Sequence, residues 1–272
     1  MPLAYYSYQV KIFLSSPLTW GFFCAGLCLG SFLNVCIYRL PRNEFWRSHR
    51  SYCPECHSLI PWYLNIPVLS FLLLLGKAAC CKAPIPWRYP LVEISSGVLA
   101  GALLWKFPWL LWEEGHWRYF PADGLRYGHN LLFLSALLVG SVIDWQYKII
   151  PDAITLGLIA LSPLVVYLHP DLTWYSSLGG TLAGGGLIYA IAWIYYLMRR
   201  GYGIGMGDAK LLAGIGAWLG YQALFTTLFY GSLSGSIFGL ALMLREGKLS
   251  LKTEVPFGPF LAAGALVHMF LR

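Results

Sequence analysis

Charge is scarce in this chain: Asp, Glu, Lys and Arg make up 11% of its 272 residues, against about a quarter in a soluble domain. So few charged side chains exclude an ordinary water-soluble domain. Acidic residues are the rarest, twelve against nineteen Lys and Arg, and only five of them are aspartates. The resulting net charge of +7 is dispersed through loops instead of forming one basic stripe, which argues against a nucleic-acid partner. No signal-peptide cleavage site of the A-x-A kind follows the first apolar run, which continues into "NVCIYRLPR". The first helix is therefore expected to be retained. No internal repeat stands out.

What is abundant is apolar surface, 58% hydrophobic and 17% aromatic residues. A bilayer-spanning helix needs about 20 apolar residues, fewer where it is broken or re-entrant. Such runs fall at about 18–38, 89–108, 128–145, 153–170, 178–198, 208–220, 222–244 and 256–271. The expected fold is an all-α polytopic membrane bundle of about eight transmembrane helices with a small hydrophilic insert. Fourteen of the nineteen basic residues share the side of that insert, and only Lys11, Lys106, Arg118, Arg126 and Arg272 fall on the other. By the positive-inside rule the insert is cytoplasmic and both termini face out. Three parts result: an N-terminal transmembrane helix (1–38), a cytoplasmic Cys-containing insert (39–88) and a helical membrane domain (89–272). Gly180 and Gly184 in "GGTLAGGGL" have the four-residue spacing that lets membrane helices approach closely. The stretch 108–128 reads as an external, aromatic-rich loop.

Five aspartates leave few candidates for chemistry. Asp123 and Asp171 lie in external loops, whereas Asp144, Asp152 and Asp208 all reach the cytoplasmic side. Ionisable groups in membrane helices are functional candidates by default. Asp152 follows Pro151 where a helix N-cap belongs, so a capping role is the simpler reading for it. Asp208 can also be read as a cap, and Asp144 as a partner of Lys148 four residues on. Against those structural readings, Asp144 and Asp208 end distant helices on one membrane face. Two such carboxylates can share a proton, one acting as general base on water and the other polarising a peptide carbonyl. Glycines at 201, 203, 205 and 207 would leave Asp208 accessible to an extended peptide.

These motifs resemble the bacterial type IV prepilin peptidases, GxGD-type membrane aspartic proteases. "GSFLNVCIYRLPR" (30–42) looks like the family's N-terminal signature, and "CPEC" with "APIPWRYPLVE" (83–93) is similar to its cytoplasmic insert. "GSVIDWQYKIIPD" (140–152) and "GIGMGDAKLLAGIGAWLG" (203–220) match its two catalytic segments, with "PFGPFLAAG" (256–264) near the C-terminus. The resemblance implies that Asp144 and Asp208 are catalytic and that 89–272 is the peptidase domain. It implies as substrates the type IV prepilins and the pseudopilins of type II secretion, cut after a short basic leader at the cytoplasmic face of the bacterial inner membrane. It also implies N-methylation of the new N-terminal residue with S-adenosylmethionine. Membrane lipid is the surrounding partner, and nucleic acid is not expected.

Of seven cysteines, Cys24, Cys28 and Cys36 fall in the first helix and read as small buried hydrophobes. Cys53, Cys56, Cys80 and Cys81 fall in the insert. A reducing compartment disfavours disulfides there, and C-x-x-C followed by further cysteines suggests tetrahedral zinc. Members of the resembled family commonly carry a second C-x-x-C pair, from which this chain departs. Aligned on "APIPWRYP", Cys81 matches the last family cysteine but Ala78 stands three residues before it. Cys53, Cys56 and Cys81 are the expected core ligands, with Cys80, His57 or water as the fourth. The competing reading is a lost site with reduced thiols. Glu93 either pairs with Arg88 or Arg39 or faces a methyl-transfer site, and Lys210 is expected at the interface instead of beside Asp208. A proton-coupled transporter using intramembrane aspartates is the alternative function.

Overall fold

The computed structural model describes residues 16–45, 51–113, 116–169, 171–199, 205–246 and 255–271. Among them are eight helices of 14 residues or more: α1 (Pro17–Arg39), α3 (Arg88–Lys106), α4 (Pro121–Tyr147), α5 (Asp152–Leu168), α6 (Trp174–Arg199), α7 (Met206–Leu219), α8 (Gln222–Glu246) and α9 (Gly258–Leu271). A short α2 (Leu69–Leu73) lies in the insert. All eight spans expected from hydropathy are therefore helices. Four segments are long and apolar enough to cross a bilayer: Pro17–Arg42, Pro121–Tyr147, Trp174–Ile194 and Gln222–Arg245. Asp152–Leu168 and Gly258–Leu271 are shorter apolar helices. The chain is a membrane protein.

The stretch 108–128, expected as an external loop, contains regular structure. It forms an antiparallel hairpin, β1 (Leu110–Glu113) with β2 (His116–Tyr119), in the register Leu110↔Tyr119 and Trp112↔Trp117. Helix α4 then begins at Pro121, where proline's fixed φ and missing N–H suit a first turn.

The chain divides into two compact units, Met1–Ser135 and Ala136–Arg272. In the first, α1 packs on α3 through small residues. A Cβ on Gly26 would stand 2.7 Å from Gly97 Cα and Ala100 Cβ, and one on Gly30 would stand 2.5 Å from Glu93 Cα. Asn34 Nδ2 donates to the Tyr89 carbonyl at 3.1 Å across the same interface. In lipid the hydrophobic effect does not drive helices together, so close backbone approach and interhelical hydrogen bonds at roughly 0.6 kcal/mol each must do so. Cys36 is buried as expected, but Cys24 and Cys28 are exposed on the outer face of α1. They follow the helix period away from the Gly26–Gly30 stripe.

In the second unit α7 is the central element, contacted by α5, α6, α8 and α9. The Gly180–Gly184 spacing does what its pattern suggests. Gly180 meets the backbone of Gly216, and a Cβ on Gly184 would stand 2.6 Å from the Leu212 carbonyl oxygen. On another side of α7, Trp218 Nε1 donates to the Leu158 carbonyl of α5 at 2.6 Å, and a Cβ on Gly214 would come within 3.2 Å of Leu158 Cβ. Gly220 ends α7 at φ 84° and ψ 169°, a positive-φ backbone open to glycine because it has no Cβ.

Candidate active site

Asp144 lies one turn from the end of α4, where Lys148 adopts φ 55° and its N–H caps the Asp144 carbonyl at 2.8 Å. The side chain is 6% exposed, and its Oδ2 accepts a hydrogen bond from the Gly258 N–H at 2.9 Å. Asp208 occupies the third position of α7, behind an N-cap at Gly205. It is half-buried, and its carboxylate lies close enough to Asp144 for the two charges to act on each other. The structure thus brings together the two aspartates singled out from the sequence, although 64 residues separate them.

Ile150 is the spacer between the segments that carry them. A Cβ on Gly207 would stand 3.3 Å from Ile150 Cβ, and one on Gly258 would stand 3.2 Å from Ile150 Cδ1. A Cβ on Gly205 would meet Asp208 Oδ2 at 3.6 Å, so glycine there keeps the approach to that carboxylate open. Gly201 and Gly203 of the glycine-rich turn lie outside the described residues. Beside the site, a cavity of about 300 Å³ is lined by Ser232, Gly235 and Ser236 of α8 and by Val255, Pro256, Phe257 and Phe260 around the start of α9.

Two structural readings are corrected here. Asp152 does not cap α5: it is the first helical residue, Pro151 holds the cap position, and no side-chain cap bond forms. Its carboxylate instead pairs with Lys210 Nζ at 2.7 Å, both groups being exposed. Lys210 is thus held by Asp152, and Asp208 is not a cap because Gly205 stands at that position.

The insert carries a second cluster. Sγ atoms of Cys53, Cys56, Cys80 and Cys81 all lie within 4.8 Å of one another, with Cys56–Cys80 at 3.2 Å and Cys53–Cys81 at 3.8 Å. They come from two loops of the same construction. Bridges Tyr52↔Leu59 and Lys77↔Pro84 close the loops. Within them Cys53 N bonds Ser58 O and His57 N bonds Cys53 O, exactly paralleled in kind by Ala78 N to Ala83 O and Lys82 N to Ala78 O. His57 and Lys82 both take left-handed backbone, at φ 57° and 61°. Ala78 is thus the counterpart of Cys53 and Cys81 that of Cys56, while Cys80 fills in from an added position. Of the candidates for the fourth position, Cys80 reaches the cluster beside its neighbour Cys81, and His57 is not among its ligand atoms. Hydrogen bonds from the Ser58 hydroxyl and amide pull the Cys56 thiol down to about 6, while the bond shared with Cys56 pushes Cys80 up to about 12. A tetrahedral thiolate site asks for sulfurs about 3.8 Å apart, so the four side chains fit a metal ion.

Glu93 is buried and accepts the Val68 N–H at 2.7 Å, with the Ser31 side chain as a further partner. Val68 stands at φ 59°, a strained conformation for a β-branched residue, at the start of α2. Glu93 therefore ties the insert to α3.

Residues 24–107 match the bacterial peptidase A24 N-terminal domain, and residues 131–240 match the type IV leader peptidase family. A curated prepilin leader peptidase/N-methyltransferase of Stutzerimonas stutzeri is 34% identical over 96% of this chain and 93% of the relative. The chain belongs to the type IV leader peptidase family. Proteins of the same name from Pseudomonas aeruginosa and Klebsiella pneumoniae are 34% and 37% identical, over 90% and 79% of this chain. They are covered over 87% and 92% of their own lengths. No solved structure matches the chain. The leader-peptidase match spans both Asp144 and Asp208, and the N-terminal match spans the cysteine cluster and Glu93. Gly258 and Ile150 escaped the sequence reading. "PFGPF" marks a helix start, but nothing in it announces a partner 114 residues earlier.

Proposed function

We propose that this protein removes the short basic leader from type IV prepilins and type II secretion pseudopilins, and then methylates the new N-terminal amine. The observation that carries the peptidase reading is the meeting of Asp144 and Asp208 at the ends of α4 and α7, in a chain whose relatives bear the name of both activities. One carboxylate takes a proton from water as its oxygen attacks the scissile carbonyl carbon. The other, protonated, stabilises the developing oxyanion. When the C–N bond breaks, a proton passes to the leaving amine, giving a leader with a new carboxylate and a pilin with a free N-terminus. S-Adenosylmethionine, when bound, supplies the methyl group for that amine.

The distribution of Lys and Arg favours an inner-membrane topology with both termini periplasmic and the carboxylates at the cytoplasmic side. Cys53, Cys56, Cys80 and Cys81 would hold a structural zinc ion that cross-links an insert with little core of its own. A proton-coupled transporter would place its carboxylates near the middle of its helices. Asp144 and Asp208 sit instead within a turn of their helix ends.

The test is cleavage of a leader-bearing prepilin by membranes containing wild type, Asp144→Asn, Asp208→Asn or Asp152→Asn. Both dyad variants should be inactive at normal membrane levels, and Asp152→Asn, which loses only an exposed ion pair, should cleave. Cleavage by either dyad variant would overturn the assignment and reopen the transporter reading.

A further inference from the structure

The first turn of α9 distributes its backbone donors in an unusual way. A helix leaves its first four N–H groups without intrahelical partners. Here Pro259 has none to offer, and Phe260 and Leu261 both donate to the Phe257 carbonyl at 3.1 Å. That leaves Gly258, whose N–H donates to Asp144 Oδ2 at 2.9 Å. The positive end of the helix therefore faces the carboxylate through a single donor.

Space is as restrictive as hydrogen bonding. A Cβ at position 258 would stand 2.7 Å from Asp144 Oδ2 and 3.2 Å from its Cγ, so no side chain fits without moving the carboxylate. The donor is also firmly held. Gly264 of α9 meets the backbone of Thr227 in α8, Leu261 is fully buried, and a Cβ on Gly231 would stand 3.0 Å from the Phe260 carbonyl oxygen. Among the described residues Asp208 shows no equivalent N–H donor on its carboxylate. One N–H on Oδ2 uses a single lone pair of the carboxylate, so it orients the group and leaves acceptor sites for water on both oxygens.

We propose that Gly258 is a positioning residue for peptide cleavage: its N–H fixes Asp144 in orientation, and its missing side chain lets the N-terminus of α9 reach that carboxylate. The proposal rests on Asp144 being one of the two reacting groups. It adds a third chain segment to the site, beyond the residues 131–240 of the peptidase match.

The experiment measures kcat and KM for prepilin cleavage by Gly258→Ala beside wild type and Asp144→Asn, with methylation of a leaderless pilin as a second readout. A carboxylate displaced by up to an ångström costs on the order of 100-fold in rate. Gly258→Ala should thus lose about that much kcat, keep KM within about twofold and still methylate the leaderless pilin. If it does not accumulate in membranes, Gly258→Ala/Ile150→Val takes its place, because removing Ile150 Cδ1 relieves the packing clash at 3.2 Å while leaving the clash with the carboxylate. Wild-type kcat in Gly258→Ala, recovery of cleavage by the Ile150→Val change, or parallel loss of cleavage and methylation would each overturn the positioning role. Cleavage by Asp144→Asn would overturn the dyad itself, a separate result.

Discussion

If Cys80 stands in for the cysteine absent at Ala78, removing it should empty the insert of metal, and restoring a cysteine at 78 should refill it. The two loops of the cluster share bridges, turn hydrogen bonds and a left-handed residue after Cys56 and Cys81. Position 78 therefore already has the backbone that presents Cys53 Sγ in the first loop. The sulfurs, 3.2 to 4.8 Å apart, need only small shifts to reach the roughly 3.8 Å edge of a zinc tetrahedron. Dividing the logarithm of a structural zinc binding constant evenly over four ligands assigns each thiolate a factor on the order of 100 to 1,000. Cys80→Ala should weaken zinc by about that factor, whereas Ala78→Cys/Cys80→Ala should recover most of it.

The assay is metal content of detergent-purified protein, followed by competition with a zinc chelator of known affinity. Wild type should retain about one zinc per chain. Cys80→Ala should surrender it at chelator concentrations that leave wild type loaded. Equal retention by wild type and Cys80→Ala would refute the reasoning, as would failure of the double variant to regain metal while remaining folded. His57→Ala should leave retention unchanged, because His57 is outside the cluster of ligand atoms.

Two further outcomes follow from close contacts in each unit. Gly184→Ala should force α6 from α7 at Leu212, one turn from Asp208, costing about 1–3 kcal/mol of stability and on the order of 100-fold in cleavage; Gly186→Ala, with nothing within 4 Å of the new Cβ, is the control. Thermal unfolding in detergent and prepilin cleavage check both, and equal behaviour of the two variants would remove the packing argument. Glu93→Leu should strand the Val68 N–H at a cost of about 1–3 kcal/mol, read as at least fivefold faster limited proteolysis of the insert, and an unchanged rate would show that Glu93 does not hold it.

Legibility followed distance along the chain. The eight helices could be read because each is written in its own hydropathy, and Asp144 and Asp208 because ionisable groups at apolar helix ends are conspicuous. The hairpin at Leu110–Tyr119 could not, since its aromatic residues equally suit an interfacial loop. Asp152 was misread as a cap because Pro151 before a helix is a good start signal; its partner, Lys210, is 58 residues away and on another helix. Which of Cys80, His57 or water joins the other three cysteines stayed open in the sequence for a related reason. Whether two adjacent side chains can face one point depends on the backbone between the bridges, and the left-handed turn at Lys82 is not encoded by any glycine.

The same asymmetry explains how two carboxylates are placed in a medium that does not drive helices together by the hydrophobic effect. Gly180 and Gly184 bring α6 against α7, Gly207 seats α7 on Ile150, and Gly258 brings α9 onto Asp144. In each pair one partner is a missing side chain, so the glycine backbone comes directly against the backbone of α7, the Ile150 side chain or the Asp144 carboxylate. Such contacts tolerate little: a single methyl at 180, 184 or 258 overlaps backbone or carboxylate atoms, whereas Gly157, Gly186 and Gly239 face open space. The glycines that matter for the chemistry are therefore distinguished by what they touch. That is why the turn preceding Asp208, conspicuous in the sequence, accounts for only part of the site, and the rest lies with a glycine 50 residues further on.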